Sequence, residues 1–196
     1  MISSGREAIF NASWCSFVPA WIKPFMSRIL KVVVTGPFSA GKSEFVKTIS
    51  DIPVVSTERK ITVREKGVKE QTTVAMDYGR YQLGEDILHL NGTPGQARFD
   101  FMWEILSREM RGLVMVVDST ASESFEEARG LLDDMLAPRP VPFVIAANKQ
   151  DKDGALHIDK VRRALRFGAE ARVVPCVASQ KTSVKLVLGQ LAELIE

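Results

Sequence analysis

From residue 29 onward the chain alternates short apolar runs with stretches whose apolar residues recur at helical spacing. Ile29-Leu30-Lys31-Val32-Val33-Val34, closed by Thr35-Gly36, predicts a buried strand, with a helix from about residue 42 to 50. Residues 74–81 and 86–90 predict two strands joined by a turn near Gly84, and so an antiparallel pair. Residues 99–110 carry apolar positions at helical spacing. Residues 113–117 are continuously apolar and predict another buried strand. Phe125, Ala128, Leu131, Leu132 and Met135 mark one face of a helix. Residues 141–147 and 172–177 predict two further strands, and residues 158–165 a short helix between them. Val184, Val187, Leu188, Leu191 and Ile195 mark the core face of a last helix. Strands alternating with helices in this order predict an α/β fold in three layers. The predicted sheet has six strands, is mostly parallel and has one antiparallel edge strand. Its site belongs in the loops at the strand C-termini.

Composition narrows the classes. The chain has 196 residues, 45% of them hydrophobic and 26% charged, which fits a globular domain with its own core. Twenty-six basic residues against 24 acidic ones leave a net charge of +2, no footprint for nucleic acid. Cys15 and Cys176 are far apart and neither belongs to a CxxC pair, so neither a disulfide framework nor a zinc site is predicted. No run of 18 apolar residues exists, so no membrane span is expected and the predicted location is cytoplasmic. His89 and Cys176 read as structural residues, and His157 as a solvated one.

The candidate chemistry starts at residues 36–43, Gly-Pro-Phe-Ser-Ala-Gly-Lys-Ser, which fit G-x-x-x-x-G-K-[ST] between a buried strand and a helix. Gly36 and Gly41 let the backbone turn so that successive N–H groups, including those around Ser39 and Ala40, point at one anion. The helix N-terminus adds partial positive charge. Lys42 would bridge the β- and γ-phosphates of a nucleotide, and the Ser43 hydroxyl would ligate Mg2+. This motif predicts a P-loop nucleotide-binding fold without choosing between ATP and GTP.

Asn148-Lys149-Gln150-Asp151 directly follows the strand at 141–147. A carboxylate at Asp151 can accept hydrogen bonds from N1–H and the 2-amino group of guanine. Adenine offers neither, and an unpaired buried acceptor costs about 1–3 kcal/mol. Asn148 would tie this loop to the phosphate loop, and the Lys149 stem would cover the base.

These two motifs, with Thr73 and Gly92-Thr93-Pro94-Gly95-Gln96 between them, resemble the small Ras-like GTPases over residues 26–196. The wording of residues 72–79 and 92–99 is similar to a prokaryotic branch related to the bacterial polarity GTPase MglA, often paired with Roadblock/LC7 proteins. The resemblance implies a GTP/GDP switch that hydrolyses GTP slowly, with Mg2+ as cofactor and a Roadblock/LC7-type regulator as partner. It implies that Thr73 binds Mg2+ and senses the γ-phosphate just before a strand. It implies that the Gly95 N–H meets that phosphate and that Gln96 orients the attacking water, so that Lys42, Thr73 and Gln96 carry catalysis. The Ala178 N–H would reach guanine O6. The γ-phosphate would order residues 55–80 and 92–102, with Arg98, Phe99 and Trp103 as candidate effector contacts. No arginine finger is identified; Arg59, Arg64 and Arg98 lie in or near these segments. Gly92 stands where the family has the Asp of Asp-x-x-Gly, which normally holds a Mg2+-bound water. That departure motivates the alternative of a non-catalytic GTP-binding scaffold.

The resemblance divides the chain into an extension, residues 1–25, and a G domain, residues 26–196. Between residues 8 and 43 there is no Asp or Glu, and Phe10, Trp14, Phe17, Trp21 and Phe25 recur at near-helical spacing. A peripheral membrane or partner contact through residues 8–25 would suit this pattern. Pro19 and Pro24 argue against one continuous helix. Disorder, or a start of translation at Met26, are the other expectations for the extension.

Overall fold

The structure, a computed structural model, describes residues 27–65, 68–93 and 109–195, with residues 57–65 and 68–75 described by their backbone. Seven strands form one sheet: β1 (Ile29–Thr35), β2 (Val55–Glu65), β3 (Val68–Leu83), β4 (Asp86–Gly92), β5 (Gly112–Asp118), β6 (Phe143–Asn148) and β7 (Val173–Pro175). Their order across the sheet is β2-β3-β4-β1-β5-β6-β7. Strands β4, β1, β5, β6 and β7 are mutually parallel, and β3 runs antiparallel to β4. The helices are α1 (Lys42–Ile49), α2 (Phe125–Leu136), α3 (Ile158–Ala164) and α4 (Lys181–Ala192).

The expected three-layer α/β architecture, with its mostly parallel sheet and antiparallel hairpin, is present. The sheet has seven strands rather than the six expected. The additional one is β2, paired antiparallel with β3 from Val55↔Tyr78 to Glu65↔Val68. Its residues are rich in charge, and an outermost strand needs only a backbone ladder and not a buried face. The turn near Gly84 is a two-residue hairpin loop joining Leu83 to Asp86, and Gly84 adopts φ +61° there. The helix predicted at 99–110 falls, apart from its last two residues, outside the described residues. So does the extension at 1–25.

The strand runs are continuously apolar because both faces are covered. Val32, Val34, Val114, Val116, Val144 and Ala146 pack under α1 and α4, against Phe45, Val46, Ile49, Val184, Val187, Leu188 and Leu191. The alternate residues Val33, Leu113, Met115, Val117, Ile145 and Ala147 pack under α2 and α3, against Phe125, Ala128, Leu132, Met135 and Val161. This two-sided burial brings the C-terminal ends of β1, β4, β5, β6 and β7 to one rim, with β1 between β4 and β5.

Candidate functional site

The loop from β1 to α1 is shaped by backbone that side chains disfavour. Gly36 has φ +148°, and a Cβ there would lie 2.1 Å from the Val116 carbonyl oxygen. Gly41 has φ +101° at the N-cap of α1, and a Cβ there would lie 2.3 Å from Asn148 Nδ2. Ser39, between them, also adopts a positive φ of +60°. The loop is thus pressed against β5 on one side and against the β6 terminus on the other.

Lys42 is buried, and its ammonium donates to the Gly36 carbonyl at 2.8 Å and the Pro37 carbonyl at 2.7 Å. Burial pushes its pKa down to about 8, opposed by the Glu127 and Asp77 carboxylates. It is still predominantly charged at pH 7, and an anion in the loop would strengthen that charge. Ser43, one residue on, is exposed at the first turn of α1, and Ala40 is fully buried.

Asn148 joins three segments. Its Nδ2 donates to the Ala40 carbonyl at 2.8 Å, and its Oδ1 accepts the Ala178 N–H at 2.8 Å. Ala40 belongs to the phosphate loop and Ala178 to the loop between β7 and α4. Asn148 itself is 3% exposed, so both bonds are made away from water. The Ala178 N–H assigned to guanine O6 is therefore held by Asn148 in this geometry, and it pins its loop. Lys149 adopts φ +64°, and its ammonium pairs with the Asp118 carboxylate. Gln150 donates to the Ser119 hydroxyl at 2.8 Å and to the Leu156 carbonyl at 3.0 Å. Asp151 remains exposed at the end of the loop, beside Lys152.

Residue-by-residue reading of the sequence missed Asp118. Burial alone would raise its carboxyl pKa, but the Lys149 ammonium and the N–H and hydroxyl of Thr120 hold it below the usual carboxylate range. The available signal was position: Asp118 is the one charge in β5, at its C-terminal end on the site rim. A second missed feature is the buried pair Thr93 and Thr35, whose hydroxyls meet at 2.8 Å and hold the end of β4 to β1.

Thr73 corrects an expectation of register. It lies inside β3, paired with Lys60 of β2, rather than just before a strand. β-Branched Thr72, Thr73 and Val74 suit an extended backbone, and β2 supplies the partner that keeps the ladder running past the end of β4. Gly95, Gln96, Arg98, Phe99 and Trp103 lie outside the described residues. Among the described residues no three His, Cys, Asp or Glu side chains gather to hold a metal, and no helix is long and apolar enough to cross a membrane.

Comparison with known proteins adds to this geometry. Residues 34–194 match the model of a family described as "conserved hypothetical ATP binding protein", and they place the chain in that family. ADP-ribosylation factor-like protein 4D of Bos taurus is 33% identical over 97% of this chain and 92% of its own length. The chain belongs to the Arf/Arl type of small GTPase. An uncharacterised protein of Methanocaldococcus jannaschii is 31% identical over 62% of this chain and 71% of its own length. Bovine ADP-ribosylation factor-related protein 1 is 27% identical, and the match spans 65% of its length. Among solved structures, the small GTPase Arl6 of Trypanosoma brucei, bound to the nucleotide analogue GppNp, superposes with a TM-score of 0.64. That match covers 84% of this chain and 96% of the Arl6 chain at 19% identity, and it supports the fold. The MglA-related, Roadblock-associated branch expected from the sequence finds no support among these relatives.

Proposed function

We propose that the chain is a guanine-nucleotide switch that binds GTP and hydrolyses it to GDP and phosphate. One observation carries this reading: Asn148 fastens the phosphate loop, the Asn148–Asp151 loop and the Ala178 loop into one cluster. In it the N–H groups of residues 36–43 and the Lys42 ammonium receive the phosphates. The exposed Asp151 carboxylate receives the N1–H and 2-amino group of guanine, with the Lys149 stem beside the base. Lys42 and backbone N–H groups stabilise charge on the transferring phosphoryl group, and Gln96 and Thr73 orient the attacking water and the γ-phosphate.

The donors suit Mg2+, a hard cation that takes oxygen ligands. Ser43 presents an exposed hydroxyl at the start of α1, with Thr73 as the second candidate ligand. These two hydroxyls would hold the ion, which would supply positive charge against the phosphates.

The family description names ATP, while the relatives are GTPases, so base choice is the test. Competition between GTP and ATP for the full chain is expected to favour GTP strongly. In Asp151→Asn that preference is expected to fall and affinity for xanthosine nucleotides to appear. Equal binding of ATP and GTP by the wild-type chain would overturn the guanine reading.

Gly92 favours a second reading, a GTP-binding scaffold with negligible turnover. Single-turnover phosphate release, with and without a partner, separates the two. Release at background in both conditions leaves the scaffold. The partner reading is an effector engaged through residues 55–80 and 92–102, and a Roadblock/LC7-type protein as regulator. A pull-down that depends on GTP rather than GDP tests it.

A further inference from the structure

One stretch of the sheet is solvated on the side away from α1. β4 alternates buried Leu88, Leu90 and Gly92 with half-buried Ile87, His89 and Asn91. Alternation of this kind marks a strand with one wet face. The residues paired with His89 continue that face, Arg80 of β3 on one side and Lys31 of β1 on the other. Their chain neighbours Leu30, Val32 and Tyr81 lie in the core beneath α1 and α4, so the basic side chains project to the opposite side. Arg111, just before β5, donates its N–H to the Lys31 carbonyl at 2.8 Å and extends the row. A Cβ on the next residue, Gly112, would meet Leu191 of α4 and Ile195, which puts Arg111 on the solvated face.

Arg80, His89, Lys31 and Arg111 thus stand side by side on neighbouring segments. Adjacent strands lie about 4.8 Å apart, so the row spans about 14 Å. A cleft of about 330 Å3 opens beside it, where Lys31, His89 and Arg111 meet Tyr78, Asn91 and Glu109. The Tyr78 ring stands edge-on to His89, with centroids 5.7 Å apart. Glu109 is the one carboxylate lining the cleft. It pairs with Lys31 at 3.2 Å while its side chain is 78% exposed. An ion pair so open to water is weak and readily exchanged. Arg80 and Arg111 are exposed, and among the described residues neither has an ion-pair partner. Three permanent positive charges and an imidazole therefore stand against one carboxylate.

We propose that this row is a docking surface for an acidic segment of a partner protein. Asp or Glu side chains of that segment displace Glu109 from Lys31 and pair with Lys31, Arg80 and Arg111. The row is too long for one small anion and suits a run of carboxylates. Lys31 and His89 are recessed in the cleft, beyond the reach of a planar bilayer, and Glu109 at its rim repels anionic headgroups. The net charge of +2 provides no field for nucleic acid. Lys31 lies about 16 Å down β1 from Gly36, so the surface is separate from the nucleotide rim and does not depend on what that rim binds.

The test is fluorescence anisotropy of a labelled octaglutamate peptide titrated with the full chain, at low and at high ionic strength. Binding is expected at low salt and is expected to weaken as salt rises. Arg80→Glu and Arg111→Glu are each expected to weaken it about 5-fold or more. Glu109→Gln, which frees Lys31, is expected to tighten it a few-fold. Lys185→Glu makes the same change of net charge at an exposed position of α4, on the other side of the sheet, and is expected to leave binding unchanged. No binding by the wild-type chain overturns the proposal, and so does unchanged binding in both arginine variants. An equal loss in Lys185→Glu overturns it too, because net charge alone would then explain the attraction. If the arginine variants do not fold, Glu109→Gln decides: tighter binding supports the surface, and unchanged or weaker binding overturns it. Phosphatidylserine vesicles or single-stranded oligothymidylate that bind the wild-type chain more tightly than the peptide, and lose binding in the arginine variants, overturn the choice of an acidic protein segment.

Discussion

Asn148 shows how much of the site depends on one amide. Among the described residues its Nδ2 and Oδ1 each have a single partner, on different loops, and the side chain is buried. Replacing it by Asp keeps the acceptor for the Ala178 N–H. The donor toward the Ala40 carbonyl becomes a second acceptor, so two oxygens face each other without a proton. A buried polar group left in this way costs about 1–3 kcal/mol, more if charged. Asn148→Asp is therefore expected to lower the melting temperature and to weaken nucleotide binding together. Asn148→Ala removes both bonds and opens a small void. It is expected to lose a similar amount, with neither loop held. Thermal melting and equilibrium binding of a fluorescent GDP analogue measure both effects. Near-wild-type behaviour of Asn148→Asp would mean that the three segments are held apart from Asn148. Cys176 behaves oppositely. Burial pushes its thiol up to about 11, so it is protonated and inert at neutral pH and fills core space.

At the scale of elements, α1 is positioned by a close approach to β3. Gly79 has no room for a side chain because Val46 and Ser50 lie against it, and the Ser50 hydroxyl accepts the Arg80 N–H at 3.2 Å. Gly79→Val should push α1 outward along its length. Because Lys42 and Ser43 open that helix, stability and nucleotide affinity should fall together. Overpacking of this kind costs about 1–3 kcal/mol, read by denaturant melts beside GDP titration. Loss of stability with unchanged affinity would show that the phosphate loop is set by β5 and Asn148 rather than by α1. The same contrast explains what the sequence made legible. β1, β5 and β6 were plain because both faces are buried, which forces unbroken apolar runs. The loop at 36–43 was plain because a glycine with a carbonyl 2.1 Å from its missing Cβ tolerates no other residue. β2 was hidden because Glu58, Arg59, Lys60, Arg64 and Glu65 read as a solvated segment, and its order comes from the backbone ladder to β3.

At the scale of the whole molecule, the sheet order collects these parts at one rim, with β1 between β4 and β5. The ligand would touch loops from four of the parallel strands. Binding it then stabilises the entire fold by mass action. At a free concentration of about 100 times Kd the gain is ~2.7 kcal/mol. For a domain of this size that corresponds to a rise in melting temperature of roughly 5–10 °C. On the proposed reading, in which only guanine meets the Asp151 carboxylate, GDP with Mg2+ is expected to give such a rise and ATP with Mg2+ at equal concentration little or none. Asp151→Asn should lose most of the GDP effect while melting normally without ligand, since Asp151 is exposed and makes no bond to the core. An ATP effect equal to that of GDP would place the specificity with the family description and remove the role given to Asp151. Equal stabilisation by GDP in wild type and Asp151→Asn, with ATP still inactive, would keep guanine as the base and move its recognition to another group. Differential scanning fluorimetry of the full wild-type chain and of Asp151→Asn, each with both nucleotides, distinguishes the three cases.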